Sequence, residues 1–331
     1  MNRKALIKSI TIIVTFIILT VLLSQVRLGD IVNTLISMDP LFLFGGFILY
    51  IVSYVLRSYR FHFLLNREVS IRDLFPIVCV HNMANNILPA RTGELSYVYL
   101  LKKQHNMRAG QGVATLLVAR IFDLLAVIVF FVSSLLLIDM LPDEIINTAL
   151  IAAVIFFTLS ISVVFFFYLP WRIKSTEKDP RYKSHYPENP FLLKISGKIS
   201  EILNYILEIR QGNKKNILYV AIISIFIWFF LYLFYFFSAC AMHIDTGFLP
   251  TIFAASFVVF TMILPIQGMA GFGTVEGGWA FGFILIGISE ITAISSAFGF
   301  HAITLLFTII AGSFGYTIFI IKERKICGYD N

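Results

Sequence analysis

Charge is what this sequence has least of. Only 14% of its 331 residues are Asp, Glu, Lys or Arg, where a soluble domain carries about a quarter. That shortage leaves most of the chain without a water-facing surface and excludes a soluble enzyme. Cysteine is scarce too: Cys79, Cys240 and Cys327 stand far apart, with no CxxC pair and no disulfide framework, so each reads as a small packing or surface residue. Also missing are a Walker A pattern, an HExxH pair, Cys/His metal spacing and a GxSxG elbow. ATP hydrolysis by the P-loop route is excluded, and the sequence calls for no metal, cofactor or enzyme activity.

Hydrophobic residues make up 58% of the chain, and its mean hydropathy is +0.86. Several runs approach the roughly 20 apolar residues that cross a hydrocarbon core. The expectation is an all-α polytopic membrane protein, one membrane domain over residues 1–331. Met1-Asn2-Arg3-Lys4 before an apolar run resembles a signal peptide. No small-residue cleavage site follows, and Gln25-Val26-Arg27 breaks the run, so it reads as a retained first span.

Clean spans are expected at Leu6–Ser24, Leu41–Leu56, Val113–Ile138, Ile146–Leu169, Asn216–Cys240 and Ile291–Ile321. Two further apolar segments are broken: 75–101 at Asn82, Asn85, Asn86, Pro89 and Gly93, and 249–288 at Pro265 and glycines 268, 271 and 273. If both broken segments enter and leave on one side, Arg3/Lys4, the Arg57–Arg72 cluster, Lys102/Lys103, the basic loop 170–215 and the C-terminal tail all fall in the cytoplasm. Asp139, Asp143, Glu144, Asp245 and Glu290 fall outside. This satisfies the bias of Lys and Arg toward cytoplasmic loops. It gives six full spans in the cell membrane, both termini cytoplasmic.

The two broken segments repeat a pattern. Phe75-Pro76, Ile87-Leu88-Pro89, Thr92-Gly93-Glu94 and Arg120 in the first match Leu249-Pro250, Ile263-Leu264-Pro265, Thr274-Val275-Glu276 and His301 in the second. The spacings are 13 and 15 residues between the prolines, and 28 and 27 residues from Thr to Arg or His. Residues 1–138 form repeat one and 146–321 repeat two, each with two spans, a re-entrant helical hairpin and one span. Three crossings per unit turn the second copy upside down, the inverted plan of many transporters. Irregular backbone at membrane depth needs protein or a water-filled cavity around it. The alternative is short helices lying in the interface.

Thr92-Gly93-Glu94 and Thr274-Val275-Glu276 each read as a helix start, with Thr at the cap and the carboxylate near the positive helix end. Glu94 and Glu276 either cap helices or line a transport path. Arg91, Arg120 and Asp123 add ionisable groups at membrane depth, where charge is costly and points to function; the alternative is an internal pair such as Glu94 with Arg120. Gly271 and Gly273 suit a tight turn, with headgroup contact as the second reading. His301 titrates near neutral pH or serves packing. His81, Asn82, Asn85 and Asn86 would line the first hairpin. The Arg57, Arg60, Arg67, Arg72 cluster reads as an orientation signal that also holds anionic headgroups.

Asn86-Ile87-Leu88-Pro89-Ala90-Arg91-Thr92-Gly93-Glu94, followed by Ala119-Arg120-Ile121-Phe122-Asp123, resembles the N-P-x-R-x-G-E and E-R-x-x-D signature of the flippase-like family. That family includes the transmembrane region of lysylphosphatidylglycerol synthases, the multiple peptide resistance factors. Leu264-Pro265 with Gly271-Phe272-Gly273-Thr274-Val275-Glu276-Gly277 resembles the family's second glycine-rich element. The resemblance implies a flippase or scramblase for a phospholipid or a polyprenyl-linked lipid. Its partners would be membrane lipids with phosphate-bearing headgroups and no nucleic acid; homo-oligomerisation stays open. The rivals are a membrane enzyme acting on a lipid-linked substrate and a small-solute transporter of DedA-like hairpin architecture. Asn86, Arg91, Glu94, Arg120, Asp123, Gly271, Gly273, Glu276 and His301 are the expected translocation residues.

Overall fold

The computed structural model describes residues 19–88, 92–138, 201–209, 214–263 and 269–326. The expected fourth span, the acidic group 139–144, most of the basic loop, Arg91, both inner prolines Pro89 and Pro265, and the C-terminal tail lie outside the described residues. Every element within them is helical. These elements are α1 (Leu19–Gln25), α2 (Leu28–Ile36), α3 (Pro40–Leu64), α4 (Ile71–Ile87), α5 (Glu94–His105), α6 (Ala109–Leu137), α7 (201–209), α8 (Lys214–Ala241), α9 (Phe248–Ile263), α10 (Thr274–Leu285) and α11 (Glu290–Ile326).

Among the described residues, four helices are long and apolar enough to cross a membrane: α3, α6, α8 and α11. The pair α1 and α2, bent by 84°, makes a fifth if counted as one span. Their outer faces carry exposed Leu41, Phe44, Ile48, Leu125, Val129, Leu306, Ile310 and Phe314. A soluble helix would place polar residues there; a helix bathed in lipid has no reason to.

Local chemistry sets the helix ends. Asp39 caps α3, its side chain accepting from the Leu41 amide at 2.8 Å, with Pro40 in the first turn, where its missing N–H costs nothing. Ser70 caps α4 through the Asp73 amide. At the end of α5, Asn106 takes the left-handed conformation (φ 52°), and Lys102, Lys103 and His105 sit in the last turn beside the negative helix end. The helix α2 was not foreseen in the sequence. Asp30 accepts from the Arg27 amide and secures its first turn after the sharp bend.

Each broken segment folds as two antiparallel helices. In the first, His81 of α4 faces Tyr97 of α5 (ring centroids 5.6 Å), and Gly93 sits on Ala84. A Cβ on Gly93 would lie 2.3 Å from the Ala84 carbonyl, so only glycine permits this turn. In the second, Gly278 packs on Val258 and Gly282 on Ala254, backbone against backbone. The helices have 17 and 12 residues in the first hairpin and 16 and 12 in the second. At 1.5 Å per residue they run about 18–26 Å, short of the roughly 30 Å hydrocarbon core.

The long helices surround these hairpins. α3 and α8 pack along their length, α4 lies against α11, and α9 lies against α6. Lys322 at the end of α11 binds Asp73 at the start of α4. Aromatic rings fill the interior: Trp279 stacks between Phe283 and Phe300 at 4.3 and 4.1 Å, and Phe131 of α6 stacks on Phe253 of α9.

Candidate functional site

Two glutamates begin the return helices of the two hairpins, and each reaches a base on the following long helix. Glu94 Oε1 accepts from Arg120 Nη2 at 2.8 Å, with side chains 30% and 32% exposed. Glu276 Oε1 lies 2.6 Å from His301 Nδ1, fully buried. The other Glu276 oxygen accepts from the Gly273 amide at 2.8 Å, and His301 Nε2 lies 2.9 Å from the Ala270 carbonyl. Both ring nitrogens of His301 therefore face oxygen atoms, Glu276 Oε1 and the Ala270 carbonyl.

The tip of the second hairpin owes its shape to left-handed backbone. Ala270, Gly271 and Gly273 have φ of 55°, 80° and 82°. Glycine adopts this at no cost, whereas Ala270 costs about 1 kcal/mol or more. The Gly273 amide is committed to Glu276 and the Gly271 carbonyl to Thr274 Oγ1. The glycines thus build the turn that holds the carboxylate, rather than a free anion nest.

A third ion pair ties three long helices together. Arg60 Nη1 and Nη2 grip Asp123 Oδ1 and Oδ2 at 2.6 and 3.2 Å, Trp228 Nε1 donates to the same carboxylate at 2.9 Å, and Ser224 accepts from Arg60 at 3.2 Å. Arg60 is 1% exposed. Its sequence reading as an orientation signal is corrected here: the charge faces inward, where Asp123 compensates it. Asp123 in turn balances Arg60 rather than Arg120.

Between α3, α4, α6, α8, α9 and α11 lies a cavity of about 300 Å³. Arg57, Asn82, Asn85, Asn86, Arg120 and Asp123 contribute polar groups to its lining, and Leu231, Phe234, Val258, Val259, Met262 and Phe300 apolar ones. Tyr50 OH bonds Tyr54 OH and Thr308 Oγ1 at 2.7 and 2.6 Å, and Asn86 Nδ2 donates to Thr308 at 2.9 Å, which fixes one wall. A smaller void of about 20 Å³ adjoins it, shared by Asn85, Asn86, Ala270, Gly271 and His301. The end of α4 meets the tip of the second hairpin there.

Of the residues singled out in the sequence, Asn86, Arg120 and Asp123 line the main cavity, Glu94 binds Arg120, and Gly271 and His301 line the smaller void with Glu276 behind. Gly273 stands in the turn, and Arg91 lies outside the described residues. The sequence reading missed Tyr50, Tyr54 and Arg57 as site residues. They recur at i, i+4 and i+7 on α3, a helical stripe that was legible as one face.

The lysylphosphatidylglycerol synthase TM region model matches residues 7–312. The chain belongs to this family. The lysylphosphatidylglycerol synthase TM region therefore supplies both hairpins and the cavity between them. Curated relatives include the glycosyltransferase AglD of Haloferax volcanii, 27% identical over 38% of this chain and 21% of that protein. A UPF0104 membrane protein of Methanocaldococcus jannaschii is 28% identical over 40% of each chain. The matches thus span well under half of either relative. No solved structure matches the chain.

Proposed function

We propose that the protein moves lipids between leaflets, as a flippase or scramblase, and is itself a carrier and not an enzyme. The observation that carries this reading is the cavity, whose lining combines Arg57, Arg120 and three asparagines with apolar residues such as Phe234 and Phe300. It matches a headgroup joined to a chain, and it lies where the two hairpins approach each other.

The proposed frame is an inverted repeat of six full spans and two re-entrant hairpins, 1–138 against 146–321. Its support is a set of relations that recur when the halves are exchanged. α4 packs on α11 as α9 packs on α6, and α3 packs on its counterpart α8. The Glu94–Arg120 contact between α5 and α6 recurs as Glu276–His301 between α10 and α11. Broken helices meeting near the midplane around a cavity are how such repeats bind substrate. In this reading Arg120 attracts the headgroup phosphate, and the Glu94 pair opens to receive it.

Purified protein reconstituted in vesicles with a fluorescent phospholipid tests the proposal. A membrane-impermeant quencher is expected to reach nearly all of the label, against only the outer-leaflet share in empty vesicles. Equal quenching in both would overturn it. The similarity to a protein named a glycosyltransferase supports a second reading, a membrane enzyme acting on a lipid-linked sugar. Sugar transfer by the purified chain without lipid exchange would favour that one.

A further inference from the structure

Charge inside the cavity does not balance. Three guanidinium groups, those of Arg57, Arg60 and Arg120, stand around it and the small void of about 10 Å³ that adjoins it. Asp123 answers Arg60 with two bonds, and Glu94 answers Arg120. Among the described residues no carboxylate lies within ion-pair distance of Arg57, and its Nε is buried without a hydrogen-bond partner. His81, whose Nδ1 is also buried and unpartnered, brings no negative charge. Glu276 is held by His301 and the Gly273 amide, away from the arginines. Among the described residues one positive charge is left over, and it belongs to Arg57, whose nearest acidic influence, Asp123, is already bound to Arg60.

An uncompensated charge at membrane depth is expensive unless water or an opposite charge meets it. Arg57 faces a cavity large enough to admit a small anionic group. Beside it Asn85 keeps its Oδ1 buried and unbonded, an acceptor open to a hydroxyl on the ligand. A guanidinium grips a phosphate diester through two parallel N–H donors. A diester with no other charge supplies the one negative charge the cavity lacks. A zwitterionic headgroup brings its own cation into the same space and leaves the surplus in place.

We infer that Arg57 is the anion anchor of this cavity and that it selects phosphate esters of net negative charge over zwitterionic ones. This rests on the lipid-carrier reading for its source of ligand, a lipid headgroup. The same chemistry in a soluble phosphate ester is the other source, and the test separates them.

Binding is read by thermal unfolding of the detergent-purified protein with short-chain phosphatidylglycerol, short-chain phosphatidylcholine, or glycerol 3-phosphate. Transport is read by exchange of fluorescent forms of the two phospholipids in vesicles. We expect phosphatidylglycerol alone to raise Tm, and its exchange to outpace phosphatidylcholine by at least about tenfold, roughly 1.4 kcal/mol of discrimination. Arg57→Gln removes both preferences and raises the ligand-free Tm, because it deletes an unpaired charge; a merely structural arginine would lower it. Arg57→Lys keeps part of the preference. Stabilisation by glycerol 3-phosphate as well assigns the site to a soluble ester, which keeps the anion anchor and removes its lipid source. Selective, Arg57-dependent stabilisation without exchange of either lipid upholds the anchor and rejects the carrier reading. Equal stabilisation by the two phospholipids, none by any of the three ligands, or a preference that survives Arg57→Gln overturns the inference.

Discussion

Arg120 donates to Glu94 at 2.8 Å across the gap between α6 and α5. The counterpart contact, His301 with Glu276, is fully buried, has an imidazole in place of the guanidinium, and is further held by the Gly273 amide and the Ala270 carbonyl. A pair about one-third exposed contributes under about 1 kcal/mol, because water screens it and ordering two long side chains costs entropy. A fully buried pair broken at one end costs about 3–5 kcal/mol, because the remaining group keeps its desolvation penalty. Glu94→Ala is therefore expected to lower stability slightly and Glu276→Ala severely. Thermal unfolding in detergent checks this; equal losses would mean that the burial difference carries no energetic weight.

Asp123 holds Arg60 with two bonds and receives a third from Trp228. Asp123→Ala leaves a guanidinium in the core with no counter-charge, at about 3–5 kcal/mol. The double variant Arg60→Met with Asp123→Leu removes both charges and fills similar volume, and we expect it to regain most of the loss. Yield and Tm of the three proteins are the measurements. A double variant no better than Asp123→Ala would show that the hydrogen bonds, rather than the charge balance, matter.

Gly282 lets the helices of the second hairpin touch. A Cβ placed there meets the Ala254 carbonyl oxygen at 2.1 Å, and backbone cannot rotate away as a side chain can. Gly282→Ala is expected to cost about 1–3 kcal/mol by forcing the helices apart. Gly29→Ala in α2 is the matched control, since nothing lies within 4 Å of that Cβ. It should be neutral or stabilising by up to about 1 kcal/mol, as alanine is the better helix former. The comparison is a chemical denaturation series on both variants.

Composition made the membrane class legible, because a chain this poor in charge has only lipid and itself to face. The spacing that aligned Glu94 with Arg120 and Glu276 with His301 also survived, and the structure brings each pair into contact. The spacing carried that far because Glu94 and Glu276 sit in the first turns of their helices and Arg120 and His301 lie within the long helices that follow. Arg60 was misread for a physical reason. A run of arginines beside a span looks the same whether the charges face the cytoplasm or turn inward to a carboxylate sixty-three residues away. The break at Gln25 was legible but the helix α2 after it was not, since a short helix of mixed apolar and polar residues resembles a loop in hydropathy.

Six spans with both termini cytoplasmic require Asp143 and Lys183 on opposite faces of the membrane. Single-cysteine variants at these positions, in a chain otherwise lacking cysteine, are expected to react with an impermeant thiol reagent from opposite sides in oriented vesicles. The logic is parity. If the first hairpin crosses the membrane only once, the number of crossings before both positions changes, so Asp143 labels from the cytoplasmic side and Lys183 from outside, against the Lys/Arg bias; the second hairpin follows both and is not tested by this pair. Labelling of both from one side would break the proposed repeat.

Arg120 decides whether the Glu94 contact serves transport or only holds α5 to α6. It lines the main cavity and is about one-third exposed, so it is both paired and within reach of a ligand. As a headgroup contact, Arg120→Ala should slow lipid exchange about tenfold or more in protein that keeps its Tm, the loss of one charge-assisted phosphate bond of roughly 1.5–3 kcal/mol. Arg120→Lys should restore exchange only in part, because an ammonium lacks the planar fork that grips two phosphate oxygens. A purely structural pair makes the opposite forecast: the single variants lose folded protein, and replacing Arg120 and Glu94 together with apolar residues restores it. Exchange rate and Tm measured on the same preparations separate the two. A stable and fully active apolar double variant would remove Arg120 from the lipid path.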